Sequence, residues 1–198
     1  MGNLVVQQFV SADGFAANDQ NEFDLFDTIE GDSSEFDRSN LKWLDGVGLI
    51  VLGAKTYRMF ADYWPTSASD WELIAPKLNS MPKVVFSRTL SSAPWGDYPD
   101  VAIESGDATE AIRRLKNDTT DDLIVWGSLT LTETFFQAGA VDVVRLVVLP
   151  VAMGSGRGAF PPGLGKIPLR HLTSTTFESG LVELEYAVEN VSPSRDVS

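Results

Sequence analysis

The 198-residue chain has no cysteine and only one histidine. The first absence excludes disulfides, thiol nucleophiles, iron–sulfur clusters and cysteine-based zinc sites. It fits a reducing compartment, so a cytoplasmic location is the expectation. The second leaves His171, in "LRHLTSTTF", as the only base available to a Ser-His-Asp triad, and no nucleophile elbow accompanies it. His171 therefore reads as a surface or strand-end residue of a C-terminal strand. A histidine-rich metal centre is impossible, no D-x-D-x-D-G loop offers an all-carboxylate one, and no metal is expected. Basic residues are also scarce, with 15 Lys and Arg against 28 Asp and Glu, a formal net charge of −13. With no basic surplus to displace phosphate counterions, nucleic acid is excluded as a partner. No apolar run is long enough to span a membrane, so none is expected to be crossed. The opening "MGNLVVQQFVSADG" lacks the basic start, apolar core and cleavage site of a signal peptide, and the Ser or Thr of a myristoylation signal.

The chain is 43% hydrophobic, ample for one compact domain. We assign it residues 1–191, followed by a polar tail, 192–198, expected to fray. Apolar β-favouring runs read as strands at Leu4–Val10, "VGLIVLG", "KVVFSRTL", 100–104, Leu123–Trp126 and the start of "DVVRLVVLPVAMGSGRG". Between them, Ser34–Leu44, "AKTYRMFADYW" (stopped by Pro65), 70–79, "DATEAIRRLKN" and 128–138 carry helical spacing. Asp107 and Glu110 have the spacing of a capping box, and Gly139 stands where a helix ends. "SADGFAAND" is a turn-rich loop, and 22–32 is a short helix or an ordered acidic loop. "HLTSTTFESGLVELEYAVEN" alternates around Ser-Gly as a hairpin. Strands alternating with helices, then a hairpin, imply an α/β fold: a mostly parallel sheet between helical layers, antiparallel at its C-terminal edge.

Residues 122–136, "DLIVWGSLTLTETFF", run from a buried strand into a helix through Gly127-Ser128 with no spacer. Two readings stay open. A helix N-terminus with free N–H groups beside a glycine suits a phosphate. The alternative is a tight turn with Ser128 as side-chain N-cap. Two further strand ends carry phosphate-friendly residues: Gly53, Lys55 and Thr56 in "VLGAKTY", and Ser87, Arg88 and Thr89 in "VFSRTL". In open α/β sheets, ligands bind outside such carboxyl ends. Neither G-x-G-x-x-G nor a Walker loop is present. Where chemistry at such a site needs a proton, a carboxylic acid whose pKa burial has raised supplies one. Asp13 is the first candidate, although Asp-Gly also simply makes a turn. Asp37 is the second; Asp24 and Asp27 lie in a stretch too acidic to be buried throughout. Trp126, ending its strand, either lines the pocket or belongs to the core.

Four pieces, "SADGFAA", "LGAKTYRMFADYWP", "KVVFSRTL" and "VWGSLTLTETFFQAGAVDVVRLVVLPVAMGSGRGAF", run in an order that resembles the dihydrofolate reductase-like fold. Within it, the chain is most similar to stand-alone relatives of the reductase domain of the riboflavin-biosynthesis deaminase-reductase. The resemblance implies a three-layer α/β/α sandwich, a homodimer, and NADPH-dependent hydride transfer to a small heterocyclic (pterin- or pyrimidine-like) or sugar-derived substrate. It implies that Gly127, Ser128, Leu129 and Thr130 hold the pyrophosphate, that Gly53, Lys55 and Thr56 grip phosphates, and that Ser87, Arg88 and Thr89 flank the adenosine and its 2′-phosphate. Asp13 and Gly14 would lie near nicotinamide and substrate, with Trp126 beside them and Met153, Gly154 and Gly156 of the glycine-rich loop bordering the pocket. The spacing of Asp37 to Gly53 resembles that of the substrate-binding carboxylate in dihydrofolate reductases. One departure is Ala54, where the family usually has an arginine that reads the 2′-phosphate, so NADH is not excluded. A non-catalytic nucleotide or heterocycle binder on the same fold is the alternative.

Overall fold

The computed structural model describes residues 1–25 and 34–189. The chain begins with β1 (Leu4–Ser11) and β2 (Phe15–Ala17), then α1 (Ser34–Trp43), β3 (Val47–Gly53), α2 (Ala54–Ala61), α3 (Ala75–Ser80), β4 (Lys83–Phe86) and β5 (Ala102–Glu104). It continues through α4 (Ala108–Asn117), β6 (Asp122–Trp126), α5 (Leu129–Gln137), β7 (Val143–Leu149), β8 (Arg157–Gly158), β9 (Leu169–Thr176) and β10 (Val182–Val188). Eight strands form one sheet in the order β5-β4-β3-β6-β1-β7-β10-β9. The pairs from β5 to β7 are parallel, and β10 runs antiparallel to both β7 and β9, as the terminal hairpin implied. A separate two-stranded sheet joins β2 to β8.

Side-chain alternation builds the layers. In β6, Leu123 and Val125 face Ile112 of α4 and Phe135 and Phe136 of α5 on one side. Ile124 and Trp126 face Tyr57 of α2 and Leu78 of α3 on the other. Farther along that second side, Phe36 of α1 packs with Val147 and Leu149 of β7. A strand buried on both faces explains the uninterrupted apolar runs.

One polar exception crosses the core beneath α1. Arg145 of β7 is fully buried, donates to Gln7 Oε1 of β1 and Asn40 Oδ1 of α1, and pairs with Glu183 of β10. Its guanidinium also lies 4.3 Å over the Trp43 ring. Elsewhere Asp107 caps α4 by accepting from the Thr109 and Glu110 amides. Gly139 closes α5: its N–H bonds Phe136 C=O, and the Ala140 N–H bonds Phe135 C=O.

Several boundaries differ from expectation. α2 stops at Ala61 rather than running to Pro65: beyond it the Tyr63 N–H turns to Phe60 C=O at 3.2 Å, an i−3 bond, Pro65 biases Trp64 away from helical backbone, and the Trp64 carbonyl accepts from Ser69 Oγ (2.6 Å) and Asn79 Nδ2 (2.7 Å). The helix expected over 70–79 begins only at Ala75, with Pro76 in its first turn. The "SADGFAAND" loop contains a strand, β2. The strand that opens "DVVRLVVLPVAMGSGRG", β7, lies inside the sheet between β1 and β10, and the edge is β9. His171 is an exposed residue inside β9, its ring 5.8 Å from Tyr186, so the surface reading holds and the strand-end one does not. Asp27, part of the 22–32 segment and the 192–198 tail lie outside the described residues.

Candidate active site

The carboxyl ends of β3 and β6 meet in a knot of hydrogen bonds. Gly127 and Ser128 both take left-handed backbone, with φ of 55° and 50°, and so turn β6 into α5 without a spacer. The Ser128 hydroxyl does not cap the helix; it accepts from the Gly53 amide at 2.8 Å and donates to Trp126 C=O at 3.0 Å. That corrects the side-chain N-cap reading. The Ser128 amide donates to Thr56 Oγ1 at 3.1 Å. Gln8 Nε2 and the Thr132 hydroxyl both donate to Gly127 C=O, at 2.6 and 3.2 Å. Every polar backbone group of the turn is therefore held from within the protein. The next three amides, of Leu129, Thr130 and Leu131, find no partner among the described residues. Three free N–H groups at the positive end of a helix suit an anion.

Not all of the residues expected at the phosphates are free to reach one. Thr56 is buried with its hydroxyl committed to Ser128, so its role is to hold the turn. Ser87 is buried and accepts from the Thr89 and Leu90 amides, which shapes the β4 exit. Arg88 and Thr89 are exposed there, one residue and two beyond it, and Phe86 pairs in register with Gly53. Lys55 is exposed in the first turn of α2, and its ammonium donates to Asn21 C=O.

Asp13 is not an acid in an apolar pocket. Its carboxylate accepts from the Ser11 hydroxyl (2.6 Å) and from the Met153 and Gly154 amides (3.1 and 2.8 Å). Those bonds hold its pKa down to about 2, the Ser11 hydroxyl contributing most. It is a loop clamp, ionised at neutral pH, and the expectation of a raised pKa is corrected. The clamp does bring Asp13, Gly14, Met153 and Gly154 together. Asp37 lies half-buried in the first turn of α1. Its charge helps raise the pKa of Glu72, a shift led by burial and opposed by a bond from the Tyr63 hydroxyl. Trp126 is buried against Phe60, ring centroids 6.2 Å apart, and its Nε1 has no partner among the described residues.

Sequence reasoning missed Glu72, which only tertiary contacts mark out. It also passed over Arg157 as an individual residue. Its guanidinium stands over the first turn of α5, at 3.2 Å from Thr130 Oγ1 and 3.2 Å from Glu133 Oε2. A cation between two glycines in "GSGRG" was the available signal. No group of three or more His, Asp or Glu suited to a metal occurs among the described residues, and no helix there is long and apolar enough to cross a membrane.

The chain has the dihydrofolate reductase-like fold, with an anion-ready helix start beside the central strands. A dihydrofolate reductase from Enterococcus faecalis, solved as a complex with NADP(H) and RAB-propyl, superposes with a TM-score of 0.59 at 12% identity, over 96% of this chain and 98% of that one. Residues 3–182 match the RibD C-terminal domain, and the chain belongs to that family. A putative riboflavin biosynthesis protein from Shewanella sp. PV-4 is similar in structure, with a TM-score of 0.75, 19% identity, and 95% and 99% of the two chains covered. In sequence, the chain is 28% identical to the uncharacterized protein YyaP of Bacillus subtilis (strain 168), over 92% of this chain and 93% of that protein.

Proposed function

We infer that this protein is a reductase that binds NADPH and passes hydride to a small heterocyclic substrate, pterin- or pyrimidine-like, or to a sugar-derived one. One observation carries the reading: the knot of Gly53, Thr56, Gly127 and Ser128 satisfies its own polar groups and leaves the Leu129, Thr130 and Leu131 amides for a ligand. The donor set fits a pyrophosphate, which is dianionic and accepts only. Gly127 to Thr130 would hold it, and the exposed Arg88 and Thr89 would meet the adenosine end and a 2′-phosphate. When bound, the dinucleotide supplies the hydride. This chain's part is to orient it from β3, β6 and α5 and to provide a proton. Asp13 is ionised and tied down, which leaves Asp37 and the half-buried Glu72 as the proton-handling pair.

Fluorescence titration of the wild type with NADPH and NADH tests the binding, and loss of reduced-nicotinamide absorbance with pterin, pyrimidine or sugar substrates tests the chemistry. Absence of dinucleotide binding overturns the reading. The clamped state of Asp13 favours a second one, a non-catalytic nucleotide or heterocycle binder. Tight binding without oxidation of NADPH by any of these substrates would select it. We also propose a homodimer. β9 is exposed on both faces along most of its eight residues, and an apolar groove between Phe136, Val141, Ile167 and Val188 adjoins its start, where Val188 pairs with Leu169. Sedimentation should give twice the chain mass at micromolar concentration; a monomer would refute it.

A further inference from the structure

We propose that Arg157 is a ligand of the cofactor's pyrophosphate and that Glu133 competes with it for that guanidinium. The proposal rests on the dinucleotide reading above and adds to it a residue and a charge exchange.

Arg157 is held in place by backbone. It pairs with Ala17 in the β2–β8 ladder, and Ala159 N–H bonds Gly14 C=O beside it. The preceding Gly156 is packed so closely that a Cβ there would stand 2.3 Å from Ala17 C=O. The side chain is less constrained. Its three bonds, to Asn21 Oδ1, Thr130 Oγ1 and Glu133 Oε2, measure 3.4, 3.2 and 3.2 Å. A firm charge-assisted bond is about 2.7–2.9 Å, so the guanidinium is loosely held and still partly open to solvent. One of these loose contacts is Thr130, whose amide is among the three left free. Asn21 also bridges it to Lys55, so that two cations border one helix start in a chain of net charge −13. A planar fork of donors beside unpartnered amides suits the paired oxygens of a diphosphate better than it suits one carboxylate at 3.2 Å. Glu133, in the second turn of α5, places a negative charge near the same anion, and its present pairing with Arg157 neutralises it. Binding a diphosphate would draw Arg157 from Glu133 to the phosphate oxygens.

The test is calorimetric titration of wild type, Arg157→Met, Arg157→Lys and Glu133→Gln with NADPH, NADH, ADP-ribose and 2′-AMP, with thermal melts to show that each variant folds. Arg157→Met should weaken NADPH, NADH and ADP-ribose alike, by about tenfold or more, and leave 2′-AMP, which has no pyrophosphate, unchanged. Arg157→Lys should recover part of the loss. Glu133→Gln should tighten the same three ligands several-fold, and should do so less in an Arg157→Met background. Unchanged affinity in Arg157→Met, a loss confined to ligands with a 2′-phosphate, or a loss in Glu133→Gln equal to that in Arg157→Met each overturns the proposal while the dinucleotide reading stands. A wild type that binds none of the dinucleotides removes both.

Discussion

Replacing Ser128 separates two forces that meet at one residue. Its hydroxyl makes two bonds, from Gly53 N–H at 2.8 Å and to Trp126 C=O at 3.0 Å, and its backbone sits at φ 50°. Ser128→Ala removes both bonds and keeps a Cβ in left-handed backbone. Losing an ordinary hydrogen bond costs about 1 kcal/mol, and leaving the Gly53 amide unpaired costs about 1 kcal/mol more, the low end because that turn is half-open to water. Ser128→Ala should therefore destabilise by about 2–3 kcal/mol. Ser128→Gly loses the same bonds but is relieved of the left-handed penalty, about 1 kcal/mol. It should stand about 1 kcal/mol above the alanine variant. Urea unfolding gives both numbers from midpoints at common slope. Equal stability of the two variants would refute the left-handed assignment. A cost below about 0.5 kcal/mol for alanine would refute the bonding knot. Both variants should also weaken NADPH, because the knot aims the first turn of α5.

Arg88→Ala should weaken NADPH by about 1–2 kcal/mol more than NADH, since only NADPH has the extra phosphate; paired titrations giving equal losses would show that Arg88 supports its loop instead. Asp13→Ala should release the clamp, speeding amide exchange at Met153 and Gly154. In the wild type the Asp13 pKa is lowered to about 2, so its contribution is present above the ordinary carboxylate range and is lost as pH falls through about 2; protection of those two amides that fades already near pH 4 would contradict this. Lys83 is buried, with its pKa pushed down to about 8 by burial, and its ammonium donates to Asn79 and Met81 C=O over the Trp95 ring. The folded state then binds fewer protons than the unfolded one between about pH 8 and 10.4, so stability from this group rises across that window and is lost as pH falls through about 8. Allowing for the carbonyls and the ring, we expect about 1–2 kcal/mol, read as the difference in urea midpoint shift between wild type and Lys83→Met; identical shifts would refute it.

The strands were legible wherever burial on both faces left an unbroken apolar run, as in Val47–Gly53, and the hairpin wherever one-residue alternation surrounded a turn at Ser179-Gly180. Helix ends were not, where the backbone changed pitch: nothing local in "AKTYRMFADYW" announces that the Tyr63 N–H turns to Phe60 C=O and leaves α2 at Ala61. The site divides the same way. Glycine and hydroxyl residues at strand ends marked the place, because chain direction in a parallel sheet gathers those ends at one edge. The use of each hydroxyl was hidden, since Thr56 serves an amide 72 residues away and Ser128 one 75 residues away. Asp13 was misread because the three donors that ionise it include two from a loop 140 residues on.

The place of β1 in the sheet carries a consequence for how the chain is made. β1 is made before both of its partners yet lies between β6 and β7, pairing Val5 with Ile124 on one side and with Val143 on the other. It has no parallel neighbour to join until β6, whose Leu123 pairs with Leu4, has been made. During synthesis its apolar face must wait, which selects for slow, late closure and for exposure to chaperones. When β7 and β10 arrive, Arg145 acts as a proofreader of that closure: a shift of one residue would carry its charge to the opposite face, away from Gln7, Asn40 and Glu183 together.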